Sequence, residues 1–352
     1  MFALSTRCFS HCLTPLFILG AWSFGQIHLE AQVAQRSPYD PGTTVSQPRM
    51  FAPGIISTDL DEAGGTFSRD GRDFYFTLLA PYTTNPHFGI ICVSHFRDGA
   101  WQEPEVVSFS GKSLDFGPQL SPDGNQLYFD SIRPVPNAKR AHFRIWVSQR
   151  SGNGWSEPTP LEAPINEDDS DNVDPALAAN GDMYFASNRG DPAGHFHIYF
   201  AQRTSRHYEQ PDKLGSEINS EFNEASPAIS PDGKMLVFAS TAAPEDAARR
   251  RPQDLIAGGK PYPRQDLYLS INRGGHWMPA THLEHGINSS AEEVYPSFSP
   301  DGKFLFWGSE RSQFEIPTQR MDRARVEKLW QGPLNGRGNI YFISVDALEV
   351  GP

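Results

Sequence analysis

Apolar residues recur along this chain in short alternating runs bounded by Gly, Pro, Asp and Ser, the signature of strands joined by tight turns rather than of helices. One layout returns five times: FSRDGRDFYFT (Phe67 to Thr77), LSPDGNQLYFDS (Leu120 to Ser131), LAANGDMYFAS (Leu177 to Ser187), ISPDGKMLVFAS (Ile229 to Ser240) and FSPDGKFLFWGS (Phe298 to Ser309). In each, a strand ends, a Ser-Pro-Asp-Gly-like turn follows, and an aromatic-rich strand returns. Proline sets φ at the second turn position, Asp bonds the local backbone, and Gly takes the positive φ that closes the hairpin. The turn glycines stand at 71, 124, 181, 233 and 302, with spacings of 53, 57, 52 and 69, room for four strands per unit.

The rest of the unit repeats as well. A third strand reads Gly89 to Ser94, Arg144 to Ser148, His197 to Ala201, Asp266 to Ser270 and Asn339 to Ser344. A fourth carries an aromatic residue and a nearby proline: Trp101 and Pro104, Trp155 and Pro158, Tyr208 and Pro211, Trp277 and Pro279. Proline cannot donate to an inner ladder, so this strand is the outer edge. The recurring tryptophans are expected to pack between units. The fifth unit stops after its third strand, while Met50 to Pro53 and Ile55-Ile56 near the start have the missing outer-strand pattern. The chain is therefore expected to be an all-β, five-bladed β-propeller of four-stranded antiparallel blades, its ring closed by an N-terminal strand that completes the last blade and leaves no open edge. The propeller spans 48–346, after a flexible segment at 32–47 and before a tail at 347–352.

These Asp-Gly turns and the four-strand unit resemble the TolB-like propeller repeats, related to WD-type propellers and found also in the non-catalytic propellers of prolyl-oligopeptidase and tricorn-type peptidases. The resemblance runs from about Met50 to Val345 and implies fold more specifically than function. TolB is a periplasmic protein that binds partners through its propeller; its additional N-terminal α/β domain has no counterpart in the repeat pattern here.

With 42 Asp and Glu against 30 Lys and Arg, the formal charge of −12 excludes a general nucleic-acid binder, which needs clustered cations for phosphate. Arg7 followed by a mostly apolar run from Leu13 to Phe24 reads as a secretory signal within residues 1–31, too short and interrupted for a membrane span. Removal of that leader takes Cys8 and Cys12 and leaves Cys92, so no intramolecular disulfide is expected. The expected product is a periplasmic or secreted monomer with no stable membrane span.

In a four-stranded blade the tight Asp-Gly turns fall on one face of the disc and the long connections on the other, where function is expected. Just before each innermost strand stands a carboxylate: Glu62, Asp115, Asp171 (beside Asn172), Glu224 and Glu293. Around a closed ring these would form an acidic channel mouth, a site for a cation or a basic partner group, or else serve hydrogen bonds within the repeat. Arg133, Arg189 and Arg311, each two residues after a strand-ending serine, are expected to clamp neighbouring blades to those acids rather than to bind a ligand. Two insertions carry Arg249, Arg250 and Arg251, and Arg323 and Arg325 on a short helix, a candidate patch for a protein partner or an anionic glycan. His195 and His197 share a side of one extended segment without a third ligand, and His282-Leu-Glu-His285 lacks zinc-protease spacing. The run from Glu167 to Asp174 offers oxygens for Ca2+ but not the ordered calcium-loop spacing. No cofactor is expected. Two functions follow: a non-catalytic module in the cell envelope that binds a protein or ligand, and a glycan-acting hydrolase or lyase using Glu62, Asp115, Glu224 and Glu293.

Overall fold

The structure, a computed structural model, describes residues 37–80, 88–136, 140–152, 154–167, 169–205, 207–242, 264–313 and 321–348. The signal-peptide expectation and Arg249, Arg250 and Arg251 lie outside these residues. Among the described residues no helix is long and apolar enough to cross a membrane.

Five antiparallel sheets form around one axis, as the repeat predicts. Their innermost strands are Asp61–Phe67, Asp115–Leu120, Asn172–Leu177, Glu224–Ile229 and Glu293–Phe298, each touching the next and the fifth touching the first. Second strands (Asp73–Leu79, Gln126–Ser131, Met183–Ser187, Met235–Ser240, Phe304–Ser309) and third strands (Gly89–Arg97, Arg144–Ser151, His197–Ala201, Asp266–Arg273, Asn339–Ser344) follow outward. Proline splits the outer edge: Ala100–Trp101 and Glu105–Val106 both pair with Gly89–Arg97, on either side of Pro104.

Turn chemistry builds the inner hairpins. The amide of each turn glycine donates to the carbonyl three residues earlier, as from Gly124 to Ser121 at 2.8 Å, and each glycine has a φ between 70° and 87°. In the Ser-x-Asp-Gly turns the serine hydroxyl also bonds the aspartate, at 2.5 Å between Ser121 and Asp123.

Closure occurs in the last blade, where Arg49–Met50 pairs antiparallel with Phe342 and Tyr341, and the Phe51 amide donates to the Ile340 carbonyl at 2.8 Å. One apolar cluster fills each seam between blades, and the seam at the closure is the most aromatic. Phe51, Phe67, Phe74, Phe76, Phe304, Phe306 and Phe342 pack there with Tyr39, Val45 and Ile56. Part of the segment expected to be flexible is thus docked: Val45 exchanges bonds with Ser344, and Tyr39 is buried against Phe67, because the apolar seam offers those two side chains cover from water. The outer-strand tryptophans also pack across seams: Trp101 on Phe51, Trp155 on Tyr75 and Trp277 on Tyr184.

Candidate functional site

The first residue or two of each innermost strand carries the ring position named by the sequence. Glu62, Asp115, Glu224 and Glu293 are 0–1% exposed. Strand register puts Asn172, not Asp171, at the third blade's ring position, since Asn172 faces Ser187 as Asp115 faces Ser131. Asp171 lies one residue earlier, accepts from the Phe143 amide and pairs with His142 at 3.4 Å.

Every ring side chain is held by donors. Ser110 Oγ donates to Asp115 at 2.7 Å, and Arg133 donates Nε and Nη2 to its two oxygens at 3.1 and 2.8 Å. Glu293 accepts from Ser289 and Ser309 hydroxyls, with Arg311 Nε at 3.6 Å. Asn172 accepts from Ser187 and Arg189. Arg133 and Arg189 bond a ring residue of their own blade and Arg311 forms an ion pair with one, and each also bonds a carbonyl of the connection arriving from the blade before: Phe109, Ile165 and Ile287 respectively. The clamp between blades therefore acts through the connection rather than through a neighbour's acid. Blades one and four lack the arginine, and there the first residue of the preceding blade's third strand substitutes. Asn339 donates to Glu62 at 3.0 Å, and His197 lies 3.3 Å from Glu224 and 3.0 Å from Asp191. Burial pushes Glu62 up to about 7 and raises Glu293, despite their donors.

These ring residues do not border the axis. The axial cavity, about 30 Å³, is lined two residues further along, at Gly64, Gly117, Asp174, Ser226 and Tyr295 and the residues that follow them. Each innermost strand bulges there. Asp174, Ser226 and Tyr295 take φ of 53°, 49° and 51°, a left-handed backbone costing on the order of 1–3 kcal/mol each. Gly64 has no Cβ because Tyr295 fills that space.

A second carboxylate, Asp130, comes from a second strand and lies behind Gly117 of this lining. It is 3% exposed, and its Oδ1 accepts from the Asp174 amide at 3.1 Å. The Asp174 carboxylate accepts from the Ser226 amide and hydroxyl at 2.9 and 3.0 Å. This chain of bonds joins blades two, three and four. Burial, then the neighbouring Asp174 charge, raises Asp130 well above its ordinary value. The sequence held a signal for it: the equivalent position is Thr77, Ala186, Ala239 and Gly308 elsewhere, and only here is it charged.

A wide opening lies on the face of the Asp-Gly turns, opposite the long connections. A vestibule of about 500 Å³ has a polar floor of Thr66, Gln119 and Ser297, apolar walls including Phe67, Leu120, Leu177, Ile229 and Phe298, and a rim of turn residues including Arg69. Of the candidate basic patch, Arg323 and Arg325 lie on the helix Arg323–Trp330, which buries no residue; Arg323 pairs with Glu327. Among the described residues no three His, Cys, Asp or Glu side chains gather as metal ligands.

Sheet order, seam packing and the axial cavity define a five-bladed β-propeller. No protein-family model matches the chain, and no curated protein matches it. Among solved structures it is similar to a protein assigned as TolB from Agrobacterium tumefaciens (16% identity over 81% of this chain and 90% of that one, TM-score 0.44). It is also similar to an endo-arabinase from Bacteroides thetaiotaomicron (16%, 78% and 100%, TM-score 0.45) and to a puromycin-hydrolyzing peptidase from Mycobacterium tuberculosis (15%, 74% and 36%, TM-score 0.40). These likenesses are weak and carry no functional argument.

Proposed function

We propose that this chain is an exported, non-catalytic binding module built on a TolB-type repeat, and that its ligand or partner enters the vestibule on the tight-turn face. The vestibule is the observation that carries this reading: its volume falls in the range of small-molecule pockets, roughly 300–1,000 Å³, and it combines apolar walls with a few polar groups. Support also comes from the ring acids, whose buried oxygens are engaged by Ser, Thr, Asn, Arg or His donors and so have no face turned toward a substrate. Export rests on the leader-like pattern of residues 1–31.

The test is capture from envelope extract with three proteins. Ala179, exposed on the vestibule rim, is changed to Trp in one; Arg249, Arg250 and Arg251 are changed to Glu in another. Partners held by the wild type and lost only with Ala179→Trp support the vestibule. Loss only with the arginine changes moves binding to the segment that carries them, and no specific partner for any protein sinks the module.

A glycan-acting hydrolase is a second reading, favoured by one observation: Asp130 and Asp174 are neighbouring carboxylates, linked through the Asp174 amide and both raised above their ordinary values by burial, the tuning that acid-base chemistry uses. Turnover of an oligosaccharide panel that vanishes in Asp130→Asn would establish it; the cavity beside the pair admits only water-sized guests.

A further inference from the structure

The vestibule is not five-fold in its chemistry. At the turn position nearest the mouth the repeat has Arg69, Pro122, Ala179, Pro231 and Pro300, so one blade alone contributes a charge to that position. Arg69 is exposed and makes no hydrogen bond or ion pair among the described residues. Its turn neighbour Asp70 is turned back into the hairpin instead, its Oδ1 accepting from the Ser68 hydroxyl and the Arg72 amide. Asp123, the acid on the rim, is likewise held by Ser121 and Asn125.

The floor carries a matching irregularity. Ser297 is 8% exposed and its hydroxyl has no hydrogen-bond partner, a condition uncommon for a buried polar group. It lines both the vestibule and the axial cavity. Its counterpart in the adjoining first blade, Thr66, accepts from Gln119 Nε2 and the Leu120 amide, so of the two hydroxyls only that of Ser297 has no hydrogen-bond partner. Ser297 and Arg69 thus lie on one side of the vestibule, across the seam between blades five and one. The vestibule also has two aromatic wall residues, Phe67, packed into the seam between blades five and one, and Phe298, packed against the seam between blades four and five, whereas its other apolar wall residues are aliphatic.

Resting on the binding reading above, we infer that the vestibule takes a small aromatic carboxylate with a hydroxyl at its far end. The carboxylate pairs with Arg69 at the mouth, the ring lies against the apolar wall to which Phe67 and Phe298 contribute, and the hydroxyl meets Ser297 at the floor. Strand geometry sets the length: floor and rim are three residues apart along the innermost strand, about 10 Å at ~3.3 Å per residue. The order of groups also selects the class. A peptide ending in its C-terminal carboxylate would need the cation at the floor, with the chain leaving through the mouth; here the cation is at the mouth and the apolar surface lies beneath it.

The experiment is isothermal titration of the full chain with 3-(4-hydroxyphenyl)propanoate, 3-phenylpropanoate and 3-(4-hydroxyphenyl)propanamide. Wild type is expected to bind the first most tightly, losing about tenfold with the amide, the change a charge-assisted bond worth about 1.4 kcal/mol would produce. Loss of the hydroxyl is expected to weaken binding severalfold. Arg69→Gln should abolish the preference for acid over amide, and Ser297→Ala the preference for hydroxyl over hydrogen; both sites lie outside the seam clusters, and an unchanged melting temperature checks folding. Acid and amide bound equally by wild type would overturn the charge assignment while leaving the binding reading standing. An acid preference that survives Arg69→Gln overturns the inference. So does no binding of any probe to a protein that still captures partners in a manner blocked by Ala179→Trp.

Discussion

Replacing Phe51 by Ala tests whether ring closure contributes the stability its packing implies. Phe51 is 4% exposed and meets Phe67, Phe74, Trp101, Phe306 and Phe342 with ring centroids 5.2–6.1 Å apart. Those partners come from blades one and five, so the cavity left by truncation would sit where the two ends of the chain join. Five surrounding rings on two rigid sheets cannot collapse inward freely, which puts the cost near the middle of the range for such truncations, about 4 kcal/mol. At roughly 2 cal/mol/K of unfolding entropy per residue, a unit of this size would lose about 6 °C in melting temperature. Because the Arg49–Met50 strand is only two residues long, the same change should open it locally before global unfolding, exposing Arg49 to trypsin. Urea unfolding and limited proteolysis measure the two effects, with Val106→Ala, 48% exposed on the outer edge of blade one, as a control expected within about 0.5 kcal/mol of wild type. A loss below about 1 kcal/mol together with unchanged cutting at Arg49 would show that the ring does not depend on this strand.

Removing Arg133 strands a fully buried carboxylate, so Arg133→Met should cost about 3–5 kcal/mol, and adding Asp115→Asn should restore more than half of it; urea denaturation of the single and double variants decides. Glu62 keeps its proton in the fold up to about 7 against 4.5 unfolded, so its stabilising contribution is complete below pH about 4.5 and is lost as pH rises through 7, about 3 kcal/mol in all. Urea midpoints from pH 4.5 to 8 should therefore show a shallower decline in Glu62→Gln, and an identical slope would contradict the assignment. A Cβ at Gly64 would overlap the Tyr295 backbone, whereas one at Gly124 meets nothing within 4 Å. Gly64→Ala should consequently prevent stable folding, while Gly124→Ala should lose only about 1–2 kcal/mol for its left-handed backbone, as thermal melts would show.

The sequence by itself determined the number of blades, the place of each inner hairpin, the edge position of the prolines and the strand that closes the ring. Those features depend on local chemistry repeated five times: a glycine that must turn left, a proline that cannot donate, an alternation that needs a buried face. It also located the ring carboxylates and the arginines near them, though one position was misread as Asp171 because the register that selects Asn172 is set by pairing with Ser187. Only the tertiary structure decided who holds those acids. Asn339 and Glu62 are 277 residues apart, and their meeting follows from closure, while His197 reaches Glu224 because one blade's third strand begins beside the next blade's first. Asp174 reached the axis because a bulge in its innermost strand displaces it, which an alternating pattern does not record, and its meeting with Asp130 of the neighbouring blade follows from the ring. The vestibule likewise opened on the face with the shorter turns, since five converging strand ends leave a space that no single unit encloses.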